Sequence, residues 1–142
     1  MAAMKKERKG DAYSASCPAR LVLNQIGDKW TVLILGVLVK QPTRFNELKR
    51  RLQGVSQKML GQTLKKLERN GLVTRRAFAT VPVTVEYAIT PLGQTLAVSV
   101  EALRRWAEDN IREVTRAQEC FDARPVTSFQ VNASSSDAGR GR

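Results

Sequence analysis

Residues 56–71, SQKMLGQTLKKLERNG, are the stretch on which the reading of this chain turns. Projected at 3.6 residues per turn, Leu60, Leu64 and Leu67 fall on one side of a helix, while Lys58, Gln62, Lys65 and Arg69 fall on the other with Gly61 among them. Ser56 is suited to cap the start through its hydroxyl, and Gly71 suits the left-handed turn that ends a helix. A helix anchored by three leucines and showing a row of basic and amide groups fits two descriptions. One is a solvated surface helix, as most amphipathic helices are. The other is a nucleic-acid reading helix, whose Lys and Gln side chains donate to phosphates and base edges.

The flanking residues separate the two. Upstream, Thr43 is placed to cap a helix with Phe45, Leu48 and Leu52 on one face and Arg44, Lys49 and Arg50 elsewhere. Gln53-Gly54-Val55 joins that helix to Ser56. Helix, glycine-containing turn of three residues, helix is the pattern of a helix-turn-helix, with Gly54 supplying the backbone freedom of the turn. Downstream, Leu72 to Ala79 and Val83 to Ile89 are rich in β-branched and aromatic residues, and Thr80-Val81-Pro82 connects them. They predict a β-hairpin directly behind the second helix, a wing.

The outer segments are helical too. Pro18 opens the first helix, with Leu21, Val22, Leu23 and Ile26 as its expected buried side. Asp28 caps a second, DKWTVLILGVLVK, which is apolar nearly all round and reads as the central core helix, with Trp30 as packing. Thr90-Pro91 opens the last, where Leu92, Leu96, Val100, Leu103, Ala107, Ile111 and Val114 recur at helical spacing with Trp106 beside them. That stripe is longer than a small domain needs. It packs against a partner helix to make a dimer, or folds back over the first two helices. The expected organisation is a flexible basic arm over 1–15, a winged helix-turn-helix domain with a C-terminal dimerisation helix over 16–121, and a disordered tail over 122–142. The fold class is mainly α with a small β-hairpin.

Charge narrows the partner. The formal net charge is +11, and between Lys40 and Arg76 eleven Lys and Arg face only Glu47 and Glu68, a local +9. A block so concentrated fits a polyanion, most simply nucleic acid. The chain has no histidine, which excludes His-based triads, bases and metal ligands. It shows no paired carboxylates and no phosphate loop, so an enzyme is not expected, nor a metal or other cofactor. Cys17 and Cys120 have no neighbouring ligands and do not form a secreted disulfide framework. Met1 to Ser16 is polar and basic, and Val32 to Val39 is too short to span a bilayer. A cytoplasmic protein without membrane attachment is expected.

Several motifs, taken in order, resemble one family. They are Gly27-Asp28-Lys29-Trp30-Thr31 with Leu33-Ile34-Leu35, then Arg44-Phe45-Asn46-Glu47-Leu48, Val55-Ser56-Gln57-Lys58-Met59-Leu60, and Leu67-Glu68-Arg69-Asn70-Gly71-Leu72-Val73. Val81-Pro82 and Val85-Glu86-Tyr87-Ala88-Ile89-Thr90-Pro91-Leu92-Gly93 complete the set. From about Cys17 to Trp106 the chain is similar to the HxlR-type winged helix-turn-helix transcriptional regulators of bacteria, relatives of the MarR regulators. The resemblance implies a homodimer, joined through its terminal helices, that binds a duplex DNA operator with residues 56–70 in the major groove. Ser56, Gln57, Lys58 and Gln62 are then the candidates for base edges. Lys65 and Arg69, with Arg44 and Lys49 on the preceding helix and Arg75 and Arg76 at the hairpin base, are candidates for phosphates. The wing departs from the family pattern. Val83 and Thr84 stand where a Pro and an Arg are common, and residues 77–83 carry no positive charge. That speaks against a wing arginine in the minor groove.

The same resemblance marks a candidate switch. Several relatives sense oxidants or electrophiles through a cysteine at the start of the first helix, the place of Cys17. A helix N-terminus favours a thiolate, and Arg20 lies one turn along. The competing description is a small packed residue at the dimer seam; Cys120 is a weaker second thiol. Two alternatives stay open: a MarR-like regulator answering a small molecule, and a winged-helix module that docks protein or RNA. The second lacks an aromatic platform, since Phe78 and Tyr87 are the only aromatics of the hairpin.

Overall fold

The computed structural model describes residues 10–125; most of the expected basic arm, residues 1–9, and of the expected tail, residues 126–142, lie outside the described residues. The elements run α1 (Pro18–Ile26), α2 (Lys29–Leu38), β1 (Thr43–Arg44), α3 (Phe45–Arg51), α4 (Gln57–Arg69), β2 (Val73–Phe78), β3 (Thr84–Ile89) and α5 (Pro91–Asp122). They fall into two compact units, Met1–Trp106 and Ala107–Arg142.

The first unit is built on α2. Its N-terminus is capped by Asp28, whose Oδ1 accepts from the Trp30 amide at 2.8 Å. Ile34, Leu35 and Leu38 are at most 1% exposed, and Leu48, Leu60, Leu64, Leu67, Val73, Tyr87 and Val100 close over them. A fully buried Leu contributes about 1.5–3 kcal/mol. Trp30 is part of this core. The helix is not enclosed all round, however: Leu33 and Val37 are half-buried and Val39 is exposed.

The turn before α4 depends on Gly54, at φ +88°, and the turn after it on Gly71, at φ +73°. In that region a Cβ meets the backbone, so glycine is the default residue. The wing pairs β2 with β3 in antiparallel register, Arg75 opposite Tyr87 and Arg76 opposite Glu86. At its tip the Thr80 hydroxyl donates to the Pro82 carbonyl at 2.8 Å and lies 3.2 Å from the Thr84 hydroxyl.

Two expectations need correction. Thr43 does not cap α3. It sits buried in β1, opposite Tyr87, with its hydroxyl donating to the Gln41 carbonyl at 3.0 Å, and β1 extends the hairpin into a sheet of order β1-β3-β2. Arg44 occupies the cap position without a side-chain bond. Second, α1 has no buried residue: Leu21 and Leu23 are 70% and 55% exposed, Val22 is exposed, and only Ile26 packs onto the core. Among the described residues, the protomer covers the rest of that apolar side only in part. The inward edge of α5 is Gly93, Ala97 and Val100, with Leu96 half-buried against the core and Leu92 exposed. A Cβ on Gly93 would lie 2.2 Å from the Leu72 carbonyl oxygen, so the bare backbone lets the helix rest directly on the end of the turn that follows α4. Thr90 fixes that approach, its hydroxyl accepting from the Gly93 amide at 3.0 Å and donating to the Gly71 carbonyl at 2.6 Å.

Residues 10–15, expected within a flexible arm, form turns. The Asp11 amide donates to Cys17 Sγ at 3.2 Å and the Ser14 amide to the Asp11 carbonyl at 3.2 Å. In the second unit, α5 carries exposed Ile111 and Phe121 and half-buried Val114, and the Arg124 guanidinium lies 5.5 Å from the Phe121 ring.

Candidate nucleic-acid interface

The candidate surface starts from the cap of α4. Ser56 Oγ accepts from the Met59 amide at 3.0 Å, an arrangement worth about 1 kcal/mol. That bond uses one lone pair and leaves the Ser56 hydroxyl its proton and a second lone pair to offer a ligand. Leu60, Leu64 and Leu67 are wholly buried, and Thr63 beside them donates to the Met59 carbonyl at 2.8 Å. With one side of the helix so anchored, its rotation about its own axis is set. Gln57, Lys58, Gln62 and Lys65 are therefore exposed together. They surround a shallow depression whose base is Gly61 and the Phe45 ring of α3. A Cβ on Gly61 would meet nothing within 4 Å. Among the described residues its absence satisfies no neighbour, and it leaves the backbone open from outside.

Phe45 also lines a second depression, with Arg44, Asn46, Arg75, Thr84 and Tyr87. The two hollows thus meet at one half-buried ring, and the α4 face continues into the base of the wing. Sequence reasoning placed Phe45 on one helix face with Leu48 and Leu52 and missed this double role. A large apolar residue one position after a candidate phosphate cation was the available signal. Across the sheet, Arg44, Glu86 and Arg76 stand in line, Glu86 being the register partner of both arginines. Cross-strand partners share a face, so one acidic residue shares this face with two basic ones. Arg76 also lies 4.9 Å from the Phe78 ring.

Not every candidate joins the surface. Arg69, the last cation of the stripe, borders a different groove together with Lys66, Asn70 and α1 residues Leu21 and Gln25. Lys49 is exposed on α3, where its neighbour Arg50 is paired with Glu47, and it lines neither hollow. The wing tip presents Val81 and Val83 to solvent, 103% and 68% exposed. Cys17 stands at the N-cap of α1, half-buried, and Cys120 is exposed on α5. Near the C-terminus of α4, the Asn70 side-chain amide donates to Gln25 Oε1 and ties α4 to α1.

Residues 25–115 match the family described as HxlR-like helix-turn-helix. The chain belongs to that family. Over 107 residues it is 43% identical to the uncharacterized HTH-type transcriptional regulator YtfH of Escherichia coli, covering 75% of this chain and 85% of that one. The solved structure of the putative transcriptional regulator ytfH from Salmonella typhimurium superposes with a TM-score of 0.75 at 40% identity, over 78% of this chain and 99% of the other. The redox regulator HypR in its reduced form superposes with a TM-score of 0.62 at 35% identity, over 70% and 98%. This HxlR-like protein is thus a winged helix-turn-helix transcriptional regulator, and the family is one of DNA binders. Among its described residues no single helix is long and apolar enough to cross a membrane.

Proposed function

We propose that this HxlR-like regulator binds an operator in duplex DNA as a cytoplasmic homodimer, with α4 in the major groove and the wing base on the flanking backbone. The observation that carries the reading is the ring of Gln57, Lys58, Gln62 and Lys65 around Gly61, opposite a fully buried leucine edge. Lys58 and Gln62, near the entering end, have the reach and donor pattern for G and A edges, and Ser56 and Gln57 stand beside them. Lys65 sits further along and meets phosphate, as do Arg44 and Arg75 from the adjoining hollow, with Arg76, Lys49 and Arg69 outside it. A footprint upstream of its own or an adjacent gene, surviving near-physiological salt, is the expected result. Binding that is sequence-blind and lost between about 50 and 200 mM salt supports the docking-module alternative instead.

The dimer rests on uncovered apolar residues. Leu21 and Leu23 of α1, and Leu103, Trp106 and Ile111 of α5, are each more than half exposed. An operator-reading dimer sets its two reading helices about 34 Å apart, one turn of DNA. Trp106→Glu is expected to shift the protein to monomer in sedimentation velocity and to weaken operator binding by at least about tenfold, because one half-site alone is then engaged. A Trp106→Glu protein that remains dimeric removes Trp106 from the seam.

Cys17 is the proposed switch. Its support is the cap position on α1, the likeness to HypR, a redox regulator solved in reduced and oxidized forms, and the Gln25–Asn70 link from α1 to α4. Oxidation or adduct formation at the thiol displaces α1, and the link transmits the displacement to the reading helix. Cys17→Ser is expected to abolish derepression by hypochlorite or quinone in cells. Full derepression in that strain sinks the idea.

A further inference from the structure

The shallow hollow on α4 differs from its neighbour at the wing base in what lines it. Its rim carries Gln57, Lys58, Gln62 and Lys65, yet its lining surface is almost all carbon, more so than that of the second hollow. We propose that it takes up the C5 methyl group of a thymine, so that Phe45 and Gly61 determine sequence specificity at that base. The inference rests on the proposed placing of α4 in the major groove, and it adds an apolar contact to the polar ones.

Two helices supply the floor. Phe45 is the first residue of α3; it packs against the core but is only half-buried, which leaves part of its side chain at the surface beside α4. Gly61 stands in the interior of α4, where only proline is a poorer helix former. A Cβ there would meet nothing within 4 Å, so among the described residues no contact requires the glycine. What the missing side chain leaves is room for one methyl group beside an aromatic ring. Even alanine would fill that room with a methyl of its own.

The surroundings select the occupant. Gln57 and Lys65 lie one helical turn before and after Gly61, with Lys58 and Gln62 alongside, and all four are exposed. Lys58 and Lys65, seven residues apart, frame the hollow at a spacing of about 10 Å, two turns of helix. An apolar spot ringed by cations and amides disfavours a second copy of a chain that itself carries +11. It favours a polyanion that exposes apolar groups. Of what the major groove presents, the donors and acceptors of the base edges suit the rim, and the thymine methyl is the apolar group that suits the floor. An A·T pair shows its adenine edge and its methyl in the same groove, so an amide of the rim and the floor can serve adjacent points of one site.

The place of Phe45 in the chain fits this role. It follows Arg44, which lines the second hollow, so the start of α3 brings a cation to the backbone and an apolar ring to the edge of the groove. Cytosine and uracil carry a hydrogen where thymine carries the methyl, and against either of them the floor is left without a partner. Burying one methyl changes affinity by about fourfold. That is less than a bidentate contact to a base edge, and it is specific to one base.

The test first selects, from a random duplex library, the sequence retained by the full-length protein. Its affinity is then measured by fluorescence anisotropy with each thymine replaced in turn by uracil, which lacks only the methyl. For the wild type, one thymine in each half-site is expected to be sensitive, its replacement costing about fourfold in one half-site and about fifteenfold in both. Gly61→Ala, which fills the floor, and Phe45→Ala, which removes it, should each bring the thymine-to-uracil ratio at that position to about one. Gly61→Ala should do so without lowering the urea midpoint. A residue that merely shapes α4 would weaken both DNAs and leave the ratio unchanged. The proposal is overturned by an enriched sequence without thymine, by uracil tolerated at every thymine, or by a ratio that either folded variant keeps. Should Phe45→Ala prove unfolded by circular dichroism, Gly61→Ala decides alone. If no sequence is enriched, the reading of DNA by α4 fails and the proposal falls with it. An enriched sequence indifferent to uracil leaves that reading standing and removes the hollow from it.

Discussion

Gly93→Ala is expected to lower the free energy of unfolding by about 2–3 kcal/mol, the upper part of the range for overpacking. The added methyl would lie 2.2 Å from the Leu72 carbonyl oxygen, 3.1 Å from its carbon and 2.7 Å from Ile89 Cγ1. The carbonyl cannot swing aside cheaply, because it accepts from the Thr90 amide at 3.0 Å. The start of α5 has to lift instead, which loosens both bonds of the Thr90 hydroxyl and uncovers Val100. Urea denaturation measures the effect as a lower midpoint at unchanged slope. A midpoint equal to that of the wild type would mean that α5 does not rest on the Leu72 carbonyl.

The second large effect concerns the exposed face of α4. Lys58→Ala or Gln62→Ala is expected to cost about 1–3 kcal/mol on the operator and much less on random DNA, the signature of a lost base contact. Lys65→Ala should weaken both DNAs alike and reduce the salt slope by about 1. Equal losses on all sequences for Lys58 and Gln62 would reassign them to phosphates. Gly61→Ala gives a complementary readout. With nothing within 4 Å of its Cβ, it should stabilise the fold by about 1 kcal/mol, the helix-propensity gain. It should nevertheless weaken DNA binding if the bare backbone is there for close approach. Stability and binding moving in opposite directions is hard to obtain from a plain surface helix.

The parts legible in the sequence were those set by local periodicity and local caps. Ser56, Asp28 and Thr90 each cap an amide within three residues of themselves, although Thr90 also reaches back to Gly71, and Leu60, Leu64 and Leu67 repeat at the period of the helix that buries them. The parts missed depend on residues far away in the chain. A two-residue strand such as β1 has no period to detect, and Thr43 is in a sheet only because Tyr87 lies beside it. The apolar spacing of α1 identified a face without saying what covers it, and within the protomer little does. Gly93 gives the inward edge of α5 because of Leu72, twenty-one positions earlier. The candidate site divides the same way. Lys58, Gln62 and Lys65 were visible as a stripe, whereas the part of Phe45 in joining that stripe to Arg44 and Arg75 needed the fold. The uncharged wing tip, residues 77–83, was legible as well.

Sequencing the DNA fragments retained by the wild type and by Gln62→Ala is the most direct test that the exposed face of α4 reads sequence. The wild type should enrich a two-fold symmetric motif with half-sites about one helical turn apart, and Gln62→Ala should keep that spacing while losing preference at one position in each half-site. An unenriched pool for the wild type, or the same motif at full strength for the variant, would contradict it.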